Sequence, residues 1–122
     1  MTESCDPSPT EIGCALDMFA RAVKFRYGTR LREIVLFGSR ARGDNRPDSD
    51  ADVAVILEDG DWNFWREKMM LADLTYEPLL ECGLRIQPWP ISRSAWNDPE
   101  YHHNPRLVRA IKRDGKLLME AI

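Results

Sequence analysis

The sequence of 122 residues lacks the features that mark several large classes of protein. Its three cysteines, Cys5, Cys14 and Cys82, are odd in number and widely spaced, which is typical of neither a disulfide framework nor a zinc site. No apolar run approaches the roughly 18 residues of a membrane span, and the polar, acidic start is unlike a signal peptide. We therefore expect a cytoplasmic protein without a membrane-spanning segment.

The chain also lacks the excess of positive charge that a general binder of nucleic acids needs. Its 17 lysines and arginines are outnumbered by 20 aspartates and glutamates, and the formal net charge is −3. This balance argues against broad polyanion binding, although a few local arginines are enough to hold one nucleotide. The length and the hydrophobic fraction of 43% suit one globular domain.

The sequence pattern predicts alternating helices and strands after a flexible arm at residues 1–8, with residues 9–122 forming the single domain. Caps and apolar spacing predict helices over about 9–27, 62–82 and 105–114, the second interrupted near Pro78, with a short turn at 92–96. Apolar runs predict strands at 31–37, 50–57 and 84–89, and residues 116–119 either add a last strand or pack down. The expected fold class is α/β (α+β), a small sheet of three to four strands flanked by helices.

The four tryptophans differ in where we expect their side chains to pack. Its apolar stripe places Trp65 and Met69 on one side, so we expect Trp65 to lie in the core. The other three, Trp62, Trp89 and Trp96, either pack partly against the sheet or anchor a protein partner.

Gly38 and Ser39 end the first predicted strand with residues suited to binding phosphate. A glycine lets backbone N–H groups approach an anion, and the serine hydroxyl adds a donor. Arg40 and Arg42 follow directly and offer charge-assisted hydrogen bonds to phosphoryl oxygens, or instead salt bridges to the acidic loop behind them. The stretch is not a Walker A loop, because no Gly-Lys-Ser/Thr follows.

Two aspartates open the second predicted strand. Asp50 and Asp52 share one face of it, with their backbones about 6–7 Å apart. Both carboxylates suit one divalent cation or a pair of cations, and hard oxygen ligands select Mg²⁺ or Mn²⁺. By themselves, however, the two aspartates are more typical of a solvated turn at the start of a strand than of a metal site.

Taken together, Gly38-Ser39, ten intervening residues and Asp50-Ala51-Asp52 resemble the signature of the polymerase-β-type nucleotidyltransferase superfamily. The match is closest to the minimal nucleotidyltransferases (MNT), which are commonly the antitoxin of a pair with a HEPN-domain toxin. The resemblance implies a mixed sheet and a site in which Gly38 and Ser39 hold the phosphates of ATP. It also implies that Asp50 and Asp52 ligate Mg²⁺ (or Mn²⁺) and direct transfer of AMP to a hydroxyl, a tyrosine, of that toxin. The two proteins would form a complex, and a homo-oligomer is the other expectation.

One position departs from the superfamily, which usually has a third carboxylate on a neighbouring strand. Here Arg85 and Gln87 occupy the expected face, and Gln87 brings no negative charge. Three alternatives follow: a slower enzyme, an acid supplied from elsewhere with Glu81 the nearest, or an antitoxin that neutralises its partner by binding alone. An antibiotic nucleotidyltransferase is less favoured, because such enzymes carry an extra helical domain.

Overall fold

A computed structural model describes residues 7–120 of the chain. Predicted helices and strands occur in the expected order, and two single 3₁₀ turns lie at Gly28–Arg30 and Pro99–Tyr101. The division into an arm at 1–8 and one domain at 9–122 stays a prediction, since residues 1–6 and 121–122 lie outside the described part. The elements are α1 (Pro9–Tyr27), β1 (Leu31–Phe37), α2 (Ser39–Arg42), β2 (Ala51–Leu57), α3 (Phe64–Asp73), α4 (Tyr76–Cys82), β3 (Ile86–Ser92), α5 (Arg93–Asn97), α6 (Pro105–Asp114) and β4 (Lys116–Glu120).

The four strands form one mixed sheet in the order β3-β2-β1-β4. β1 is antiparallel to both of its neighbours, whereas β2 and β3 are parallel. The central strands β1 and β2 are covered on both faces, which explains their continuous apolar runs. Helices α1 and α4 pack on one face, and α5 and α6 pack on the other. The predicted α/β fold with a small mixed sheet is confirmed.

The first helix follows its local signals. Ser8 caps it, with the Ser8 hydroxyl accepting from the Glu11 amide and the Glu11 carboxylate accepting from the Ser8 amide. Phe19 and Val23 are fully buried on its inner face, and Gly28 ends the helix with a positive φ. The predicted bounds of α1 are confirmed.

Helix α3 is rotated relative to the prediction, because its inner face is built around a buried carboxylate. Glu67 has no exposed surface, and Arg30 Nη2 lies 2.6 Å from its Oε2. The hydroxyl of Tyr27 donates to the other carboxylate oxygen, at 3.4 Å. Trp65 is consequently 72% exposed and Met69 is 65% exposed. The prediction of Trp65 as a core residue is wrong, because an acid was not expected to take the buried position.

The other three tryptophans, Trp62, Trp89 and Trp96, are each partly buried against one of the two clusters of core residues.

The prolines act through their missing N–H and their ring. Pro78 ends one helix and starts the next rather than bending a single helix. Its ring would clash with the carbonyl four residues earlier, and the break falls at residues 74–75. Strand β3 extends beyond the predicted end to Ser92 because Pro88 and Pro90 lie in an edge strand, where a missing N–H is tolerated.

The turn after β1 passes unusually close to β2. Phe37 pairs with Asp52 in the antiparallel register, so the next residue, Gly38, lies beside the Asp52 side chain. Gly38 has φ +73° and ψ −157°, a conformation open essentially to glycine alone. A Cβ at this position would lie 2.5 Å from Asp52 Oδ2. The backbone angle therefore requires glycine, and a Cβ would in addition displace the Asp52 carboxylate.

Of the helices in the described part, none combines the length and apolar character needed to cross a membrane.

We predict that Gly38→Ala destabilises the fold more than Gly43→Ala, by about 2 kcal/mol or more in excess. Gly43 is the matched control, since it also has a positive φ but a Cβ there would meet no atom within 4 Å. Urea unfolding of the two variants measures the difference. Equal losses of stability would show that the contact with Asp52 imposes no constraint.

We also predict that ionisation of the Tyr27 phenol lowers the free energy of unfolding at high pH. Burial first, and then the negative charge of Glu67, raise the pKa of Tyr27 to about 12, from an ordinary value of 10.0. The raised pKa means that the folded state holds the phenol proton more tightly than the unfolded chain does. The stabilisation, on the order of 2 kcal/mol, is complete below about pH 10 and is lost as the pH rises toward about 12.

The measurement is the free energy of unfolding of the wild type and of Tyr27→Phe across this pH range. The variant should be less stable at neutral pH but should lack this part of the decline. An identical decline in both proteins would assign it to other groups.

Candidate functional site

The predicted site residues meet at one end of the sheet. The end of β1 adjoins the start of β2 because these strands are antiparallel, and the start of β3 adjoins the start of β2 because those are parallel. Asp52 is paired with Phe37 on one side and with Gln87 on the other. Gly38-Ser39, the two aspartates and Gln87 thus form one continuous row across three strands.

The phosphate-suited turn forms the short helix α2. Gly38 precedes it and Gly43 ends it, both with positive φ. The first amides of such a turn have no acceptor within the helix, so they are free to bind an anion. The partly exposed Ser39 begins the helix, which puts its hydroxyl on the same turn. This geometry suits phosphate oxygens.

The two arginines of this turn shape the loop between α2 and β2. Arg40 donates from Nε to the carbonyl of Ser49 at 2.9 Å and from Nη2 to that of Pro47 at 3.1 Å. Arg42 Nε lies 3.2 Å from Asp44 Oδ2, the salt bridge to the acidic loop that was the alternative to phosphate binding. A role for either arginine in holding nucleotide stays a prediction.

The surroundings of Asp52 disfavour the charged form of its carboxylate. Burial raises its pKa, the neighbouring Asp50 charge raises it further, and the nearby Trp89 indole N–H, Arg42 and Lys68 oppose the rise. The Trp89 N–H itself is fully buried and has no hydrogen-bond partner of normal geometry in the part of the chain described. Its influence on Asp52 is to oppose the rise in the pKa of that carboxylate.

Asp50 is partly exposed and faces β3. The Gln87 amide donates from Nε2 to Asp50 Oδ2 at 3.4 Å, and Arg85 Nε lies 4.0 Å from Asp50 Oδ1. Gln87 therefore lies where the sequence comparison placed the third carboxylate of the superfamily. It is next to both aspartates, paired with Asp52 and hydrogen-bonded to Asp50.

One alternative left open by the sequence is an acid supplied from elsewhere, with Glu81 the nearest along the chain. Within residues 7–120, no three His, Cys, Asp or Glu side chains gather so that they could hold a metal ion. Glu81 itself is exposed on α4.

Asp50 and Asp52 nevertheless fit a divalent cation. Both are hard oxygen donors on one strand face, and their mutual repulsion is the kind that a bound cation relieves. Mg²⁺ commonly takes only one or two carboxylates and completes its shell with water and substrate phosphates. The pair therefore suits a cation that binds together with a nucleotide.

Sequence reasoning missed Lys68 and the part that Trp89 takes in the site. Lys68 projects from α3 over the Trp89 ring, with Nζ 4.0 Å from the ring centroid, and donates to the carbonyl of Pro88. Burial lowers its pKa and the Asp52 carboxylate opposes that shift. Trp89 was detectable, since residues 87 and 89 alternate onto the face of Asp52. Nothing in the sequence distinguishes Lys68 from other helical lysines.

Residues 16–116 match the Nucleotidyltransferase domain family. Putative protein adenylyltransferase MJ0604 of Methanocaldococcus jannaschii is 33% identical over 74% of this chain and 86% of its own length. Protein adenylyltransferase MntA of Aphanizomenon flos-aquae is 31% identical over 74% of this chain and 57% of its own length.

A solved structure described as a toxin-antitoxin with AMP-PNP shares the fold. It has a TM-score of 0.59 at 19% identity and covers 84% of this chain and 72% of its own. The family match, the two relatives and the row formed by Gly38, Asp52 and Gln87 lead to the same assignment. The chain belongs to the nucleotidyltransferase domain family, as one of its minimal, MNT-type members.

Proposed function

We propose that this protein transfers AMP from ATP to a hydroxyl of a partner protein, a tyrosine of a HEPN-domain toxin, and thereby neutralises it. The observation that carries the proposal is the meeting of the Gly38-Ser39 turn with Asp50 and Asp52 at one end of the sheet. Support comes from two relatives named as protein adenylyltransferases and from the shared fold with a toxin-antitoxin structure.

In the proposed reaction the Gly38-Ser39 turn holds the β- and γ-phosphates through its amides and hydroxyl. Asp50 and Asp52 would hold Mg²⁺, which when bound offsets the phosphate charge and stabilises the entering and leaving oxygens. The acceptor oxygen forms a bond to the α-phosphorus as the bond from that phosphorus to the β-bridging oxygen breaks, and pyrophosphate leaves. Gln87 cannot accept the hydroxyl proton, so the proton passes to an aspartate or to solvent.

A second function is favoured by the amide at position 87. Without a third carboxylate the site carries one negative charge fewer than is usual in the superfamily, which weakens its hold on a cation. The protein would then neutralise its toxin by binding alone. The two functions differ in whether the partner becomes covalently modified.

We predict that the double substitution Asp50→Asn/Asp52→Asn lowers transfer to the partner at least about 100-fold, because charge stabilisation at the phosphates is lost. Complex formation should change little, within about twofold, since the carboxylates lie at the end of the sheet. The experiment incubates the protein with a HEPN-domain toxin, Mg²⁺ and labelled ATP.

The matched control is Asp48→Asn, an exposed aspartate in the adjoining loop, which should transfer like the wild type. If the wild type itself labels no partner while the double variant still neutralises it, the binding function replaces the enzymatic one.

Gln87→Glu should increase transfer by about tenfold at limiting Mg²⁺ and should lower the Mg²⁺ concentration needed for half of the maximal rate. The added carboxylate would lie beside Asp52 and Asp50 and strengthen their hold on the cation. Gln87→Ala is the control that removes the amide without adding charge. An unchanged or lower rate in Gln87→Glu would show that this site works with an amide.

A further inference from the structure

A cavity of about 210 Å³ lies between α3, α4 and β3, beside the aspartates. Lys68, Thr75 and Tyr76 line it from the helices, and Arg85 and Gln87 line it from β3 and the segment before it. The two charged side chains in this lining, Lys68 and Arg85, are both cations. The cavity shares Gln87 with the predicted site, so the two are continuous.

The strand order determines which side of the site the cavity occupies. The phosphate-suited turn follows β1, the aspartates start β2, and the cavity lies at β3, the next strand in the row. In phosphoryl transfer the attacking and leaving oxygens are roughly in line on opposite sides of the phosphorus. If pyrophosphate leaves over Gly38-Ser39, as the proposed function requires, the acceptor must approach from the side of the cavity.

The two cations have donors left for a ligand. Lys68 Nζ is held in place by the Pro88 carbonyl and the Trp89 ring, and an ammonium has three donors. The guanidinium of Arg85 is mostly exposed and lies 4.0 Å from Asp50, a distance too long for a full hydrogen bond. A carboxylate entering the cavity would meet both groups; the lining itself holds no acid, and the competing carboxylates, Asp50 and Asp52, lie outside it.

We propose that this cavity is the acceptor subsite and that it selects a hydroxyl-bearing segment of the partner protein with an acidic side chain next to the hydroxyl. The hydroxyl reaches toward Asp50 and Gln87 while the acidic neighbour pairs with Lys68 and Arg85. This inference rests on the proposed function for its direction of attack, and its ligand class comes from the charge of the cavity.

The test is a binding experiment on the intact protein without ATP, using two blocked peptides that differ only in charge, acetyl-Glu-Tyr-Glu-amide and acetyl-Gln-Tyr-Gln-amide. The Trp89 indole N–H signal in NMR spectra reports on the cavity, because the ring contacts Lys68. The acidic peptide should bind about fivefold more tightly at low salt. The preference should shrink as salt screens the charges.

Substitutions identify the groups responsible. Lys68→Met/Arg85→Gln should reduce the acidic peptide to the affinity of the neutral one, whereas Lys68→Arg should keep the preference. The matched control is Lys112→Met, since Lys112 Nζ lies 4.5 Å from the centroid of Trp96 on another part of the surface. That variant should bind both peptides like the wild type.

The inference is overturned if neither peptide binds, if both bind equally, or if Lys68→Met/Arg85→Gln leaves the preference intact. Its failure is separate from that of the proposed function, because binding needs neither ATP nor transfer. A protein that labels its toxin but shows no preference for the acidic peptide refutes the inference alone. A protein that prefers the acidic peptide but labels no toxin refutes the proposed activity alone.

Discussion

The ion pair between the buried Glu67 and the partly exposed Arg30 sets the orientation of α3, and the β3 side of the site depends on that orientation. Successive helical residues are about 100° apart, so directing Glu67 toward Arg30 and Tyr27 also directs Lys68 toward Pro88 and Trp89. A buried ion pair adds little net stability, because desolvation offsets attraction. Its effect here is to specify one rotation of the helix.

The other side of the site depends on backbone rather than on side chains. The register that pairs Phe37 with Asp52 brings Gly38 against the Asp52 carboxylate, which a Cβ at position 38 would displace. The parallel pairing of β2 with β3 places Gln87 opposite Asp52. The turn, the carboxylates and the amide therefore hold their places through sheet geometry, while Lys68 and Arg85 are added from flanking elements.

Local signals account for what could be predicted from the sequence. The capping box of Ser8 and the pair Asn104-Pro105 define helix starts within a few residues, and the spacing of Gly38 and the aspartates identifies the family. The rotation of α3 was not predictable, because Glu67 is buried by a partner 37 residues away. The cavity was not predictable for the same reason, because Lys68 and Arg85 come together only when α3 packs beside β3.

The two prolines of β3 limit how another chain can approach the site. Pro88 and Pro90 have no backbone N–H to donate along the outer edge of the sheet, and the Pro88 carbonyl already accepts a hydrogen bond from Lys68. An incoming segment therefore cannot extend the sheet there as an added strand. Strand addition relies on hydrogen bonds between backbones, so it accepts many different sequences. Recognition beside the aspartates must instead depend on side chains. The opposite edge, β4, contains no proline, so the backbone of that strand can pair with an added strand.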